Sequence, residues 1–219
     1  MSRNARLVWL FDLDNTLHNA TPHIFPHISR SMTAYLAHAL ELGEAAATEV
    51  RRNYWLRYGA TLTGMMRHHG TDPHHFLRLT HDFPDLPRML VFERGLRMML
   101  RRLPGRKLVF SNAPLHYAAA VLQATGIADE FDGIYAIEQM RFRPKPSVAA
   151  FRRLLHRERL LAVQCIMVDD MLANLGTARR LGMKTVWVSD TSRTPPQADA
   201  RVSSIMDLPR AFQRLMRRG

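Results

Sequence analysis

The chain has 219 residues, of which 47% are hydrophobic and 23% are charged, which excludes a wholly disordered chain and allows one large domain or a core with a smaller insert. Its net charge of +12 is compatible with a nucleic-acid partner or with a positive field that attracts small anions such as phosphate esters. The basic residues are spread along the chain, with five adjacent arginine pairs on helix-like segments, and no nucleic-acid-binding motif accompanies them, so a nucleic-acid partner is not predicted.

The N-terminal residues predict neither export nor a membrane span. A basic start leads into the apolar run Leu7–Phe11, which Asp12 interrupts before a signal-peptide core or a membrane span could form. The one cysteine, Cys165, opens an apolar segment, so it is expected in the core, and it cannot form an intramolecular disulfide. A cytoplasmic location without a membrane partner is therefore expected.

The run Leu7–Phe11 is apolar on both faces, which is typical of a central parallel strand. The following stretch, from about Thr21 to His81, has helical periodicity and no strand-like alternation. Thr21-Pro22 is the predicted start of its first helix and Gly43 the stop. Further short helices are predicted over residues 44–58, 62–69 and 73–81, separated by Gly59, Gly64 and residues 70–73, with a return linker at 84–87.

Repeated strand–helix units are predicted from Phe92 to the C-terminus. The strands are residues 107–110, 133–137, 165–168 and 184–188, and the helices are residues 93–103, 117–125, 147–156, 172–181 and 208–218. This alternation indicates an α/β fold, a doubly wound parallel sheet of Rossmann-like type with helices on both faces. Together with the helical stretch, it predicts a core of residues 1–18 and 88–219 and an inserted helical cap domain of residues 19–87.

Polar side chains stand at or near the carboxyl ends of four predicted strands, where the ligand sites of open α/β sheets lie. They are, in chain order, Asp12 with Asp14, Ser111 with Asn112, Lys145, and Asp169 with Asp170. Because parallel strands end at the same edge of a sheet, residues that are far apart in sequence become neighbours around one ligand. These residue types match phosphoryl transfer through an aspartyl intermediate.

Asp12 is the candidate nucleophile, and Asp14 is the candidate acid that protonates the leaving group and then acts as the base for water. The summed negative charge needs a cation, and Mg²⁺ is expected, bound by carboxylate oxygens and the substrate phosphate. Its predicted ligands are Asp12, Asp14, Asp169 and Asp170. The catalytic Lys145 is expected to stabilise the phosphoryl oxygens. Candidate phosphate-binding residues are Ser111, Asn112, Asn15 and Thr16.

The ordered motifs resemble those of the haloacid dehalogenase superfamily of phosphatases over nearly the whole chain; they are Asp12-x-Asp14-x-Thr16, Ser111-Asn112, Lys145-Pro146 and Asp169-Asp170. The resemblance makes Asp170 the main metal-binding acid. Asn174 stands where many relatives carry another acid, so either Asp169 or Asn174 supports the metal. The presence of Asp14 implies a phosphatase, because the dehalogenases of the superfamily lack an acid there.

The helical stretch is similar in position to the cap domain of that superfamily, which selects the substrate. The segment Tyr58–Met66, the histidines that follow it and Asp12–Leu17 resemble the pyrimidine 5'-nucleotidase branch. The resemblance implies a small phosphorylated substrate, a nucleoside monophosphate with a pyrimidine preferred. A phosphatase of sugar phosphates or phosphoglycolate is the alternative, and a nucleic-acid-binding or regulatory protein on a phosphatase-like scaffold is an alternative of another class.

The histidines of the helical stretch suggest a zinc site, but no acid or cysteine spacing supports one, so substrate contact or a solvated surface is expected of them. They are His68, His69, His74 and His75. Four neighbouring residues could stack on or hydrogen-bond a base, or could instead belong to the core. They are Tyr54, Trp55, Arg57 and Tyr58.

Overall fold

The computed structural model describes residues 7–217, and its strands form one parallel sheet. The basic N-terminal residues 1–6 and the end of the predicted C-terminal helix, residue 218, lie outside the described residues. The strands are β1 (Val8–Phe11), β2 (Arg106–Phe110), β3 (Gly133–Tyr135), β4 (Cys165–Asp169), β5 (Lys184–Val188) and β6 (Ala200–Val202). Their order is β3-β2-β1-β4-β5-β6, so the winding reverses beside β1. The predicted doubly wound parallel sheet is confirmed.

Helices precede or follow each strand and also fill the long connection between β1 and β2. They are α1 (Ile24–Ala39), α2 (Glu44–Tyr58), α3 (Thr61–His69), α4 (Pro73–Thr80), α5 (Leu86–Met89), α6 (Leu96–Arg101), α7 (Leu115–Ala124), α8 (Val148–Glu158), α9 (Leu172–Arg180) and α10 (Leu208–Arg217). Among residues 7–217, no helix is both long and apolar enough to cross a lipid bilayer.

The side chains of β1 alternate between two apolar clusters, one on each face of the sheet. Trp9 and Phe11 join a cluster that contains residues of α6, α7 and α10. Val8 and Leu10 join a second cluster, which contains residues of α8 and α9. Successive residues of a strand point to opposite faces, so a strand that is covered on both sides must be apolar throughout. The central position expected for this run is confirmed.

Helices α1 to α4 enclose an apolar cluster of their own. Its buried members are Leu36, Ala47, Leu62, Met65, Phe76 and Leu77, together with Ile137 from the loop after β3. The two ends of this helical segment are adjacent: the Asn19 amide donates a hydrogen bond of 2.7 Å to the Val91 carbonyl. The division into a core of residues 1–18 and 88–219 and a cap of residues 19–87 stays a prediction.

The predicted start and stop of the first helix are wrong. Helix α1 begins at Ile24 because Thr21 is held in the preceding turn, where its hydroxyl donates to Asn15 Oδ1 at 3.1 Å. The helix ends at Ala39, before Gly43 is reached. Gly43 instead occupies the N-cap position of α2.

The sequence predicts that Gly64 separates two helices, but Gly64 lies inside α3. A Cβ atom at Gly64 would lie 2.2 Å from Cγ of Tyr54, so the close approach of α3 to α2 requires a glycine here. Gly59 and Gly70, with φ of 77° and 61°, do follow α2 and α3 in the left-handed conformation.

Strand β6 was not predicted. It has three residues and follows a segment that contains Pro195 and Pro196, so no alternation is long enough to indicate a strand. Pairing with β5 creates it. The linker predicted over residues 84–87 contains the start of the short helix α5, and the other predicted elements are present with ends that differ by a few residues.

Candidate active site

The structure brings the polar residues of the strand ends together at one edge of the sheet. Asp12 follows β1, Ser111 follows β2 and Asp169 ends β4. Strand β1 pairs with both of its neighbours, so the three residues leave adjacent strands in the same direction. Lys145 reaches this edge from the loop between β3 and α8. The position of the site therefore follows from the strand order.

Lys145 lies between two carboxylates. Its Nζ atom is 3.0 Å from Asp12 Oδ1 and 2.8 Å from Asp169 Oδ2, and its side chain is 1% exposed. Burial acts to lower the pKa of the ammonium group, but the negative charges of Asp12 and Asp169 outweigh it and raise the pKa above its usual value. Lys145 is therefore a permanently charged cation fixed against Asp12.

The Asp12 carboxylate has more negative charge around it than Lys145 can offset. Burial raises its pKa well above the usual value; Lys145 opposes this, and the charges of Asp169, Asp170 and Asp14 add to it. A carboxylate can act as a nucleophile only when it is ionised. Further positive charge close to Asp12 would favour the ionised form.

Three carboxylates are placed to hold a cation that would supply this charge. Oxygen atoms of Asp12, Asp169 and Asp170, here called the carboxylate cluster, all lie within 4.8 Å of one another. Burial, followed by the charge of Asp169, raises the pKa of Asp170 to about 6. Oxygen donors with excess negative charge fit a hard divalent cation, so the residues present match a metal site of this class.

The members of the carboxylate cluster differ in how many of their oxygens are free. Asp169 accepts hydrogen bonds from Lys145 Nζ, from the Met171 amide at 2.8 Å, and from Asn174 Nδ2, which is 3.0 Å from both oxygens. The side-chain oxygens of Asp170 receive no hydrogen bond from another described residue, and its backbone carbonyl is held by Trp187 Nε1 at 2.8 Å. Asp170 is thus the more available ligand, while Asn174 orients Asp169 toward Lys145.

Asp14 lies outside the carboxylate cluster. Its Oδ1 atom accepts a hydrogen bond of 2.7 Å from the Tyr117 hydroxyl and lies 3.0 Å from His18 Nε2. Its side chain is 17% exposed. Asp14 therefore combines a fixed oxygen with access to the edge of the sheet, whereas its predicted role as a metal ligand stays a prediction.

Ser111 and Asn112, both predicted to bind phosphate, differ in what their side chains do. The Ser111 hydroxyl oxygen accepts from the Ala113 amide at 3.0 Å, which leaves its hydrogen free to donate. Both ends of the Asn112 amide are used by the Lys145 backbone: Nδ2 donates to the carbonyl at 3.0 Å and Oδ1 accepts from the amide at 2.7 Å. Asn112 therefore holds the loop that carries Lys145.

Asn15 and Thr16, the other predicted phosphate contacts, follow Asp14 directly. The Asn15 Oδ1 atom accepts from the Ala20 amide at 2.9 Å and from Thr21, so it stabilises the turn that leads to α1. The Thr16 hydroxyl is buried and has no partner among the described residues. Their predicted phosphate contacts stay predictions.

Comparison with protein families agrees with this arrangement of residues. The family model of haloacid dehalogenase-like hydrolases matches residues 8–182. The chain belongs to the haloacid dehalogenase-like hydrolase family. The matched range begins at β1 and ends just after α9, so it includes all of the strand-end residues described above.

A curated protein is related to most of this haloacid dehalogenase-like hydrolase. Phosphate metabolism protein 8 of Saccharomyces cerevisiae is 25% identical over 193 residues, which cover 82% of this chain. The chain spans 60% of the length of that yeast protein.

Solved structures share the fold. An HAD phosphatase from Thermococcus onnurineus is 19% identical with a TM-score of 0.68, and the alignment covers 94% of this chain and 97% of that one. A putative HAD-hydrolase from Bacillus subtilis bound to magnesium is 16% identical with a TM-score of 0.60, covering 95% and 98% of the two chains. The L-2-haloacid dehalogenase from Xanthobacter autotrophicus is 16% identical with a TM-score of 0.60, covering 94% and 98%. At such identities the likeness establishes the fold.

The sequence did not single out the residues that contact Asp14 in this hydrolase. His18 lies four residues after Asp14, but a lone histidine after an apolar residue carries no specific signal. Tyr117 lies 103 residues away, so nothing in the local sequence links it to Asp14. Trp187, in β5, contacts Asp170, which follows β4, and no local sequence pattern indicates this contact either.

The histidines and aromatic residues of the helical segment contact each other. His68 Nε2 lies 2.6 Å from the Tyr58 hydroxyl, and His69 Nε2 lies 2.7 Å from the Tyr54 hydroxyl. These bonds occupy the Nε2 atom of each ring. Arg57 lies over the Tyr58 ring at 5.4 Å. Of the other candidates, Trp55 is exposed, His75 contacts Tyr35 and His74 packs on Phe142.

Cys165 is 1% exposed at the start of β4, which confirms its predicted place in the core. Burial raises the pKa of its thiol to about 12. The thiol therefore stays protonated at neutral pH, and thiolate chemistry is not expected from it.

His81, at the end of α4, is buried and neutral. Burial lowers its pKa to about 4; the charge of Asp14 opposes this shift, while His116 and His27 add to it. The Thr80 hydroxyl gives its single hydrogen to the Phe76 carbonyl at 2.8 Å. His81 Nδ1, 2.9 Å from the same hydroxyl oxygen, must therefore donate, so its hydrogen is on Nδ1.

We expect His81 to make the folded state sensitive to acid. In the unfolded chain the imidazole binds a proton below its ordinary pKa of 6.5, whereas the folded protein resists protonation down to about pH 4. The contribution of neutral His81 to the free energy of unfolding is fully present above pH 6.5. It declines by about 3 kcal/mol as the pH falls to about 4. His81→Asn keeps a donor for Thr80 but does not titrate, so its stability relative to the unsubstituted protein should rise by that amount.

Urea unfolding of both proteins across this pH range measures the difference. His38→Asn, the same change at an exposed position of α1, is the control, and its curve should run parallel to that of the unsubstituted protein. A parallel curve for His81→Asn would contradict the expectation.

Proposed function

We propose that this hydrolase is a magnesium-dependent phosphatase that hydrolyses small phosphate monoesters through an aspartyl phosphate on Asp12. The observation that carries the proposal is the placement of the buried Lys145 ammonium 3.0 Å from Asp12, next to a carboxylate cluster that needs a cation. An anionic phosphate can approach a carboxylate only where such positive charge is concentrated. Mg²⁺ bound by Asp12 and Asp170 would supply the remaining charge and polarise the phosphoryl group.

The residues divide the reaction into two steps. A carboxylate oxygen of Asp12 forms a bond to phosphorus while the bond from phosphorus to the leaving oxygen breaks, and Asp14 gives its proton to that oxygen. Asp14, now ionised, then takes a proton from water as the water oxygen attacks phosphorus and the bond to Asp12 breaks. Phosphate leaves, and both carboxyl groups return to their first state.

Lys145 and Ser111 act on the phosphoryl oxygens in this proposal. The ammonium offsets the charge that develops there, and the free hydrogen of the Ser111 hydroxyl can donate to one oxygen. Asn112 keeps Lys145 in place through the backbone. Asn15 keeps the turn after Asp14 in place.

Dehalogenation is the second reaction known among the structural neighbours. Asp14 favours the phosphatase, since release of a halide requires no proton and an acid beside the nucleophile would have no leaving group to protonate. The oxygen leaving group of a phosphate monoester does require one. The carboxylate cluster also favours a phosphatase, because a cation bound there would stabilise phosphoryl oxygens.

For the substrate we propose a nucleoside 5'-monophosphate, with pyrimidine bases preferred. The resemblance of Tyr58–Met66 to the pyrimidine 5'-nucleotidase branch supports this choice. We assign substrate selection to the cap of residues 19–87, and its separate apolar cluster supports that division. Sugar phosphates and phosphoglycolate are the alternative substrates, and a regulatory or nucleic-acid-binding protein without turnover is the alternative of another class. A cytoplasmic location stays a prediction.

A substrate panel with and without magnesium tests the proposal. We expect turnover of UMP and CMP in Mg²⁺ and a lower kcat/KM for AMP, sugar phosphates and phosphoglycolate. Removal of the metal with a chelator should lower the activity by at least about 100-fold. Higher kcat/KM for sugar phosphates than for UMP would overturn the nucleotidase assignment. Chloride release from 2-chloropropionate without phosphate release from any ester would overturn the phosphatase itself.

A further inference from the structure

Asp14 is held through one oxygen only. The Tyr117 hydroxyl and His18 Nε2 both bond Oδ1, at 2.7 and 3.0 Å, and the two partners lie 3.3 Å from each other. No described residue bonds Oδ2. A carboxyl group held in this way cannot rotate freely, and Oδ2 is the oxygen that these bonds leave free. The two partners are themselves buried: His18 is 4% and Tyr117 1% exposed.

The hydrogens in this group can be assigned. Burial, followed by the charge of Asp14, raises the pKa of Tyr117 far above its usual value, so the phenol keeps its hydrogen and donates it to Asp14. The Nδ1 atom of His18 is buried and has no partner among the described residues. A hydrogen on that atom would be left without an acceptor, so the imidazole hydrogen belongs on Nε2, which donates to Asp14. Asp14 Oδ1 thus accepts two hydrogen bonds.

The Tyr117 ring is fixed by residues that lie at the end of the helical segment. The ring of Phe83 lies 5.0 Å from it and the ring of His81 lies 5.9 Å from it. These contacts hold the ring whose hydroxyl bonds Asp14. His18 is held from the other side, because the turn formed by residues 13–18 closes through backbone bonds to Leu13.

We propose that His18 and Tyr117 are positioning residues that fix the Asp14 carboxyl group so that Oδ2 carries the proton for the leaving oxygen. This role rests on the proposed phosphatase function. When the ester bond breaks, the bond from Oδ2 to hydrogen breaks and a bond from the leaving oxygen to that hydrogen forms. Two bonds to Oδ1 disfavour a proton there, because the occupied oxygen has no lone pair left in a suitable direction. In this role both residues act on the reaction only through Asp14.

The role predicts a dependence on the leaving group. An alkoxide leaves poorly and needs the proton of Asp14, whereas 4-nitrophenolate leaves well without it. Loss of positioning should lower kcat/KM for an alkyl ester such as UMP or glycerol phosphate by about 10- to 100-fold. The kcat/KM for 4-nitrophenyl phosphate should fall by less than about threefold. A merely structural role would lower both values by the same factor.

The variants are Tyr117→Phe and His18→Leu, which each remove one donor, and His18→Gln, whose side-chain amide can replace Nε2 and should restore most of the activity. Asp14→Asn removes the acid itself, so it should give the largest change in the ratio of kcat/KM for the alkyl ester to kcat/KM for 4-nitrophenyl phosphate. Tyr135→Phe is the matched control, because its hydroxyl bonds Glu158 away from the site and its loss should leave the ratio unchanged. Thermal melts report whether each variant folds.

Equal losses on both esters in folded Tyr117→Phe and His18→Leu would overturn the positioning role while leaving the phosphatase intact. Failure of His18→Gln to exceed His18→Leu on the alkyl ester would also contradict it. An unsubstituted protein that hydrolyses neither ester would overturn the proposed function, and the positioning role with it.

Discussion

Replacing Asp12 by asparagine is expected to lower phosphatase turnover by at least about 10⁴-fold, because the amide cannot attack phosphorus. The protein should stay folded. Asparagine Oδ1 can still accept the hydrogen bond from the Leu13 amide, and the change removes a charge from a buried group whose pKa is raised. Its free energy of unfolding at neutral pH should therefore be equal to or above that of the unsubstituted protein. Steady-state kinetics with UMP and urea unfolding measure the two quantities.

Asp85→Asn is the matched control for this experiment, since it makes the same chemical change at an exposed carboxylate. Its activity and stability should both match those of the unsubstituted protein. Turnover in Asp12→Asn above a hundredth of the original value, with contamination excluded, would contradict the assignment of Asp12 as nucleophile.

Lys145→Met should have the second largest effect. The substitution keeps a long apolar side chain but leaves Asp12 and Asp169 without their buried cation. Phosphate would then meet uncompensated carboxylates, so kcat/KM should fall by about 10³-fold. Breaking a buried ion pair from one side should also lower the free energy of unfolding by about 3 kcal/mol.

Lys184→Met, at the half-buried start of β5, provides the comparison. It removes a lysine of the same sheet without touching the carboxylates, so its kcat/KM should stay within about twofold of the unsubstituted value. If Lys145→Met kept a tenth of the original kcat/KM, the proposed role of the ammonium in phosphoryl transfer would be wrong.

The sheet could be predicted from the sequence because a strand buried on both faces must be apolar throughout. The run that forms β1 has this property, and β5 was predicted with the observed bounds. Strand β6 has no such pattern, since it exists only through pairing with β5. The start of α1 was misplaced because the hydroxyl of Thr21 bonds Asn15 rather than the first turn of the helix.

The position of the site could also be predicted, because parallel strands deliver their terminal residues to one edge. What each side chain does there depends on contacts that no spacing reveals. The side-chain amide of Asn112 bonds the Lys145 backbone 33 residues later, which the sequence does not indicate, and its phosphate contact stays a prediction. The hold on Asp14 depends on Tyr117, whose distance in sequence conceals the contact.

The hydrogen bond between the Asn19 amide and the Val91 carbonyl makes the helical segment an insertion whose two ends are tied together. A loop whose ends already meet changes length at little cost, about 0.6 kcal/mol for each doubling. The stretch between Asn19 and Val91 could therefore change in length without shifting β1 against β2, and so without moving Asp12 relative to Ser111. His81 and Phe83, whose rings contact Tyr117, are the part of this stretch on which the sheet edge itself depends.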